Sequence, residues 1–305
     1  MRIYLAGLFC NNLGAWPIMN ENKAPFRDFV YPWHLESYHY IGKGAGRGVD
    51  RIRRYAADMR TTKIFLDSGA FSAFTLGATI DKSDYANFIE TNQDIIEVAS
   101  VLDAIGDPIK TLENQNWFDE RGIDVLPCFH FGEPVEYLRH YIKKYPRITL
   151  GGMVPIDKGV LRGWLDHLFA DEICDSAGVP KVQVHGFGMT TWDLLFRYPW
   201  HSVDSTSYAS GSKLGSIYML LNDKQYIVCI AEGAESEKEL DQAFTSLPKI
   251  IQDVIEEEVI RLGYTIDGLR ASYALRDRFN CEYFERLQLK GIDRFVRPVM
   301  DGGLF

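Results

Sequence analysis

Three aspartates and two histidines stand at the ends of short apolar runs spread along most of the chain. KIFLDS (63–68) ends in Asp67 and Ser68, with Gly69 next. VASVLD (98–103) ends in Asp103, and DVLPCFH (124–130) ends in His130. RITLGGM (147–153) closes on Gly151, Gly152 and Met153. KVQVHGF (181–187) carries His185, and WHSVDS (200–205) ends in Asp204 and Ser205. Carboxylates beside an apolar core are costly unless they are paired, hydrogen-bonded or used in chemistry. A set of them brought together suits acid–base or nucleophilic catalysis. Each residue taken singly also has a structural role open to it. Asp103 can cap the helix that follows. Asp67-Ser68-Gly69 can be an ordinary turn, His130 a satisfied core histidine, and Gly151-Gly152 a tight bend.

The elements that must position these residues alternate in type. Strand patterns fall at 2–8, 35–41, 63–68, 98–103, 124–130, 147–153, 181–187 and 200–205. Helical patterns lie between most of them, at 47–60, 82–93, 108–121, 133–145, 158–177 and 190–198. Eight such repeats predict parallel βα units closed into a (β/α)8 barrel, where chemistry sits at the C-terminal ends of the strands. The polar residues above would then converge on one mouth. After the eighth strand the pattern changes. Residues 214–231 read as a hairpin turning at Asn222-Asp223, followed by helices at about 236–263 and 266–291. The prediction is one domain over 1–305: an α/β TIM barrel over about 1–213, and a C-terminal hairpin and helical appendage over about 214–305.

The 305 residues are 46% hydrophobic and 25% charged, ordinary for a globular protein with a large core. No run approaches the ~20 apolar residues of a membrane helix, and no secretory leader is read. A membrane partner is not expected, and the expected location is the cytoplasm. The five cysteines (Cys10, Cys128, Cys174, Cys229 and Cys281) are odd in number and far apart. That pattern suits buried free thiols rather than a zinc knuckle or a disulfide framework. The net charge of −9 argues against nucleic acid, but it is unevenly spread. Residues 43–63 carry Lys43, Arg47, Arg51, Arg53, Arg54, Arg60 and Lys63 against Asp50 and Asp58. Residues 232–258 are strongly acidic and end in Glu256-Glu257-Glu258. A basic face is one reading; solvated helix faces are the other.

Four of these blocks, in order over residues 60–215, resemble the guanine transglycosylase superfamily. Phe65-Leu66-Asp67-Ser68-Gly69-Ala70-Phe71 is similar to the DSGGFQ motif of tRNA-guanine transglycosylases. Leu150-Gly151-Gly152-Met153-Val154-Pro155 resembles the GGVVP segment of their archaeal branch, and His185-Gly186-Phe187-Gly188 its following strand end. Val203-Asp204-Ser205-Thr206-Ser207-Tyr208-Ala209 resembles its FDSASYA motif. Val101-Leu102-Asp103 stands at the family's base-binding LDIP, and RFNCEYFERL (278–287) looks like its last helix. The chain departs from the family in lacking the zinc-binding cysteine motif. It carries Ser72 for the motif's glutamine and His130 for the base-reading glutamine. No separate RNA-binding domain is read. These features look more like the bacteriophage branch that places 7-deazaguanine bases in DNA.

The resemblance implies a pentosyltransferase that exchanges guanine in a polymer for a free 7-deazaguanine base of the preQ0 type. By resemblance Asp204 is the nucleophile at C1′ and Asp67 the general acid and base. It implies that Asp103 reads the guanine-like edge, with Ser68, Gly69, Phe71, His130, Gly151, Gly152, Met153 and His185 lining the base site. Lys213, Arg47 and Arg51 are the candidates for phosphate contact. No metal or other cofactor is implied, and DNA and the free base are the implied partners. Base exchange on tRNA, and hydrolysis of a small nucleoside or sugar, use the same carboxylates and remain alternatives. The sequence leaves the oligomeric state open.

Overall fold

Runs of Ile, Val, Leu and Phe that are apolar on both faces need cover on both faces, which a parallel sheet gains from helices packed outside it. A computed structural model describes residues 1–9, 30–42, 47–59, 63–154, 156–233 and 243–289, apart from the side chains of Arg47, Asp58, Met59 and Leu289. Strands form at all eight anticipated places. They are β1 Arg2–Ala6, β2 His34–Ser37, β3 Ile64–Asp67, β4 Ile96–Ala99, β5 Cys128–His130, β6 Arg147–Gly151, β7 Gln183–Gly186 and β8 Ser202–Ser205. All are parallel, in the order β4-β3-β2-β1-β8-β7-β6-β5. The two outer strands of that order meet one residue beyond β4. Leu126 N donates to Ala99 O and Val101 N donates to Leu126 O, both at 2.8 Å, through a parallel bridge of Ser100 to Leu126. The ladder therefore runs round a full circle, as in a (β/α)8 barrel.

Side chains alternate across each strand, so every second residue faces the barrel interior. Tyr4, Leu35, Phe65, Val98 and Leu126 form one interior cluster. The residue two steps further along each strand faces the same way, nearer the C-terminal mouth. Those residues are Ala6, Ser37, Asp67, Ser100 and Cys128. On the other side of the ring, Ser202 and Asp204 alternate in the same sense. Period two thus turns an apolar floor into a polar rim.

Helices Arg47–Met59, Lys82–Thr91, Pro108–Asp119, Val135–Lys144, Lys158–His167 and Trp192–Leu195 occupy the expected intervals. Their starts are chemically marked. Asp81 accepts from Ser83 N and Asp84 N, and Asp157 from Gly159 N and Val160 N. Asp107, followed by Pro108, caps its helix by accepting from Lys110 N. Three differences from the sequence pattern have local causes. The run 35–41 leaves the sheet after Ser37 and turns as a helix over Tyr38–Ile41, because Tyr38 packs on Tyr85 and Phe88. Regular strand β4 ends at Ala99; Ser100 and Val101 still bond to Leu66 and Leu126, and Asp103 lies beyond them, outside the strand. The helix over 158–177 widens after His167 into a π-helical turn at Leu168–Ile173.

The chain divides into two compact units after Ser205. In the second, helix Ser207–Lys213 accompanies an antiparallel hairpin, β9 Ser216–Leu221 and β10 Lys224–Cys229. Asn222 and Asp223 turn it with φ of 49° and 62°, as a two-residue turn of this hand requires. Helices Lys249–Arg261, Ile266–Ala271 and Tyr273–Leu289 pack an apolar core around Ile217, Met219, Val259, Leu269 and Phe279. The longer helices of the sequence pattern are shorter here. Pro248 sets the start of one, residues 234–242 lie outside the described residues, and extended backbone at Ser272 splits the other. Asn280, fully buried, accepts from Tyr218 N and donates to Tyr208 O, Ser212 Oγ and Ser216 O. It holds helix Ser207–Lys213, the hairpin and the last helix together. Among the described residues no helix is long and apolar enough to cross a membrane. Cys128, Cys174 and Cys281 are buried free thiols, and Cys229 is buried with its sulfur beside Ala231 O.

Truncating the interior should be expensive. Phe65→Ala is expected to cost about 3–5 kcal/mol in chemical unfolding. A loss below about 1 kcal/mol would mean that Phe65 does not fill a closed barrel.

Candidate active site

Asp67 ends β3 and shares the interior face with Phe65. The next two residues turn sharply, with Gly69 at φ 77°. A Cβ on Gly69 would press on the side chains of Ser37 and His39 and come within 2.9 Å of His39 N, so the turn requires glycine. Gly69 N donates to Asp67 Oδ2 at 2.9 Å, which fixes the carboxyl group. Ser68 is fully buried. Its amide donates to Ser100 Oγ at 3.1 Å, and its hydroxyl donates to Asp103 Oδ1 at 2.9 Å.

Asp103 does not cap a helix. Its other oxygen, Oδ2, lies 2.9 Å from His130 Nε2. The far side of that ring is held as well. His130 Nδ1 is 3.0 Å from Glu133 Oε1, and the His130 amide donates to Glu133 Oε2 at 2.9 Å. A chain of contacts thus runs from Ser68 through Asp103 and His130 to Glu133. Gly151 lies beside His130 in the β5–β6 register. A Cβ there would come within 2.9 Å of the imidazole, so glycine makes room for the ring. Gly152 turns the chain away at φ 69°.

On β8, Asp204 is buried, and its Oδ1 accepts from Gly188 N at 2.8 Å. Gly188, with φ 65°, aims that amide back at the strand end. His185 Nε2 stands 3.3 Å from the same oxygen but is not aligned for a hydrogen bond. The other ring nitrogen of His185 meets Ser202 Oγ at 2.9 Å. Tyr4, Phe65 and Phe187 surround the imidazole at 4.5–5.8 Å between ring centres.

The carboxyl groups feel one another. Burial first, then the charges of Asp103 and Asp204, push the Asp67 pKa from its ordinary 3.8 up to about 7, against the pull of Gly69 N–H and Ser100. Burial opposes charge on His130. Cys128, Asp103 and Glu133 more than offset that and hold its pKa well above the usual histidine range. A carboxyl group that exchanges its proton near neutrality, beside two further carboxyl groups, is equipped for acid–base chemistry.

Of the residues singled out in the sequence, Asp67, Ser68, Gly69, Asp103, His130, Gly151 and Gly152 share this strand-end neighbourhood. Asp204 couples to it electrically. Phe71 follows on helix Ala70–Thr75 and is exposed. Two of the others are buried. His185 lies in the interior layer beside Asp204, facing that carboxyl group and aromatic rings. Met153 is likewise buried, packed into the barrel after Gly152 has reversed the chain. Arg51 is half-buried on the outer helix Arg47–Met59, and the Arg47 side chain lies outside the described residues. Lys213 belongs to the second unit. Part of the basic run is neutralised locally, since Arg53 pairs with Asp94 and Asn92.

Cys128, Glu133, Ser100 and Gly188 were not singled out as site residues by sequence reasoning. Cys128 alone had a local signal, two residues before His130 on one strand and therefore on its face. No known family model matches the chain, and no curated protein matches it.

Asp67 gives the unit a pH signature. Unfolded, the carboxyl group ionises near pH 4; folded, it keeps its proton to about pH 7. Between those values the folded state binds the extra proton, so this contribution to stability is full below pH 4 and is lost as pH rises through 7. Asp67→Asn should therefore gain stability relative to the parent by up to a few kcal/mol between pH 4 and pH 8. Asp277, also raised to about 7 by burial, leaves part of the parent's slope in place. Denaturant curves that shift in parallel at both pH values would show that Asp67 does not hold the proton.

Proposed function

We propose that the chain exchanges a guanine base at an N-glycosidic bond, with Asp204 as nucleophile and Asp67 as general acid and base. The observation that carries it is the half-buried Asp67 at the end of β3 and the buried Asp204 on β8, with the Asp67 proton held near neutrality partly by the charge of Asp204. In the first displacement an Asp204 oxygen attacks C1′ of the sugar. The C1′–N bond breaks, and the proton on Asp67 goes to the departing guanine. In the second, the incoming base gives its ring N–H proton to Asp67 and attacks C1′. The ester to Asp204 breaks, and the configuration is retained. Gly188 N–H holds the attacking carboxyl group in one orientation, which reduces the entropy lost on reaching the transition state.

Asp103 is the base reader in this proposal. A guanine edge offers N1–H and a 2-amino group, and a carboxylate can accept both. Ser68 and His130 already fix the plane of that carboxylate. Exposed Phe71 supplies an aromatic face beside the turn that holds Asp67. The incoming base is a 7-deazaguanine and the polymer DNA, a finer assignment supported by the motif resemblance. A base inside a duplex must first leave its stack.

Asp204→Asn is expected to lower guanine exchange by at least about 1,000-fold and to abolish the covalent adduct, with the melting temperature within a few degrees of the parent. Exchange that survives would remove Asp204 from the nucleophile's role. Incubation with labelled guanine and either duplex DNA or tRNA decides the polymer, while guanine released without replacement points to a hydrolase. Asp103→Ala should raise KM for the free base by about 10–100-fold, equivalent to about 1.4–2.7 kcal/mol, and change kcat less. An unchanged KM would sink the base-reading role.

A further inference from the structure

Cys128 and His130 stand two residues apart on β5, so both side chains face the interior. Asp103 arrives from the neighbouring strand through the bridge that closes the ring. Cys128 Sγ, His130 Nε2 and an Asp103 carboxylate oxygen all lie within 4.8 Å of one another. The individual separations resemble the edges of a coordination polyhedron. Bond lengths of about 2.3 Å to sulfur and 2.0 Å to nitrogen, at a tetrahedral angle, place S and N roughly 3.5 Å apart and N and O roughly 3.3 Å apart. The Sγ to Nε2 distance is 3.5 Å, and Nε2 to Asp103 Oδ2 is 2.9 Å. An ion between them needs the second edge to open by a few tenths of an ångström and the third, from Sγ to the carboxylate oxygen and within 4.8 Å, to settle near about 3.5 Å.

The surroundings of His130 suit a ligand. Glu133 holds Nδ1 at 3.0 Å. A carboxylate on the far nitrogen keeps a proton there while an arriving ion displaces the one on Nε2 and takes its lone pair, the usual support behind a metal-binding imidazole. Gly151 leaves space against the ring, and Cys128 is a buried free thiol. One thiolate, one imidazole and one carboxylate favour a borderline-soft ion over magnesium or calcium. We propose that Asp103, Cys128 and His130 form a three-ligand site for a zinc-class divalent cation, with a fourth position left for water or another donor. The site shares Asp103 and His130 with the proposed base site but does not rest on that reading, so binding is measured with no base present.

The full chain, stripped with a chelator and titrated with zinc, should bind one ion per chain at this site. Cys128→Ser and His130→Ala should each weaken binding by at least about 100-fold, and Glu133→Gln by about 10–100-fold through loss of ring support. Cys174→Ser, a buried thiol elsewhere in the barrel unit, should leave binding unchanged. Cobalt in the unsubstituted protein should show a thiolate-to-metal absorption band that Cys128→Ser lacks, at unchanged circular dichroism. If the unsubstituted protein takes up no more zinc than Cys128→Ser, or its cobalt form lacks the thiolate band, the trio is a hydrogen-bonded cluster and the proposal is overturned. Either result leaves the roles of Asp204 and Asp67 to their own test.

Discussion

Leu126 accepts from one neighbour and donates to another, and those two bonds turn an eight-stranded parallel ladder into a ring. An open sheet of the same strands would leave β4 and β5 as edges with unpaired amides and carbonyls. It would also leave the interior side chains without a facing wall. Closure brings Phe65, Val98 and Leu126 together, and it sets the segment carrying Asp103 beside the strand carrying His130. The strand ends can share a site because the ring joins where the first half of the barrel meets the second.

Given that ring, the polar rim is an electrostatic compromise. Several acidic groups are buried or half-buried close together, and each needs partners or a proton. Asp103 divides its oxygens between Ser68 and His130. Glu133 clasps the ring and amide of His130. Asp204 takes the amide of Gly188. Asp67, with only Gly69 and Ser100 to help it, keeps its proton to about pH 7. Removing one partner of such a buried pair typically costs about 3–5 kcal/mol because the other charge is stranded. The rim is therefore rigid where it is paired and proton-labile at Asp67, a division that suits a site with one reactive acid and a fixed surround.

Much of the barrel was legible as hydrophobic period. Eight short apolar runs, separated by helical spacing with marked caps such as Asp81 and Asp107, needed no tertiary knowledge. Boundaries were legible only where a local signal existed. Tyr38 carries an aromatic, strand-like preference, yet it turns as helix because Tyr85 and Phe88 offer its ring a place to pack. Pro248 and Ser272 both lie inside helical patterns read as continuous, yet each starts a helix in the fold, Ser272 by accepting from Leu275 N. In the C-terminal unit, Asn280 was an ordinary polar residue within RFNCEYFERL until the fold placed four partners around it.

For the site, the sequence alone determined which residues stand at or near strand ends: Asp67, His130, Gly151 and Asp204, with Asp103 four residues beyond the end of β4, because alternation and turn chemistry are local properties of the chain. Tertiary structure decided what each one faces. Register and ring closure put Asp103 between Ser68 and His130, brought Glu133 to the far nitrogen of that ring, and set Cys128 behind it. They also buried His185, beside Asp204, and Met153. A strand written alone shows which residues share a face. It cannot show which strand will stand opposite, and the proton on Asp67 depends on carboxyl groups that lie 36 and 137 residues away in sequence.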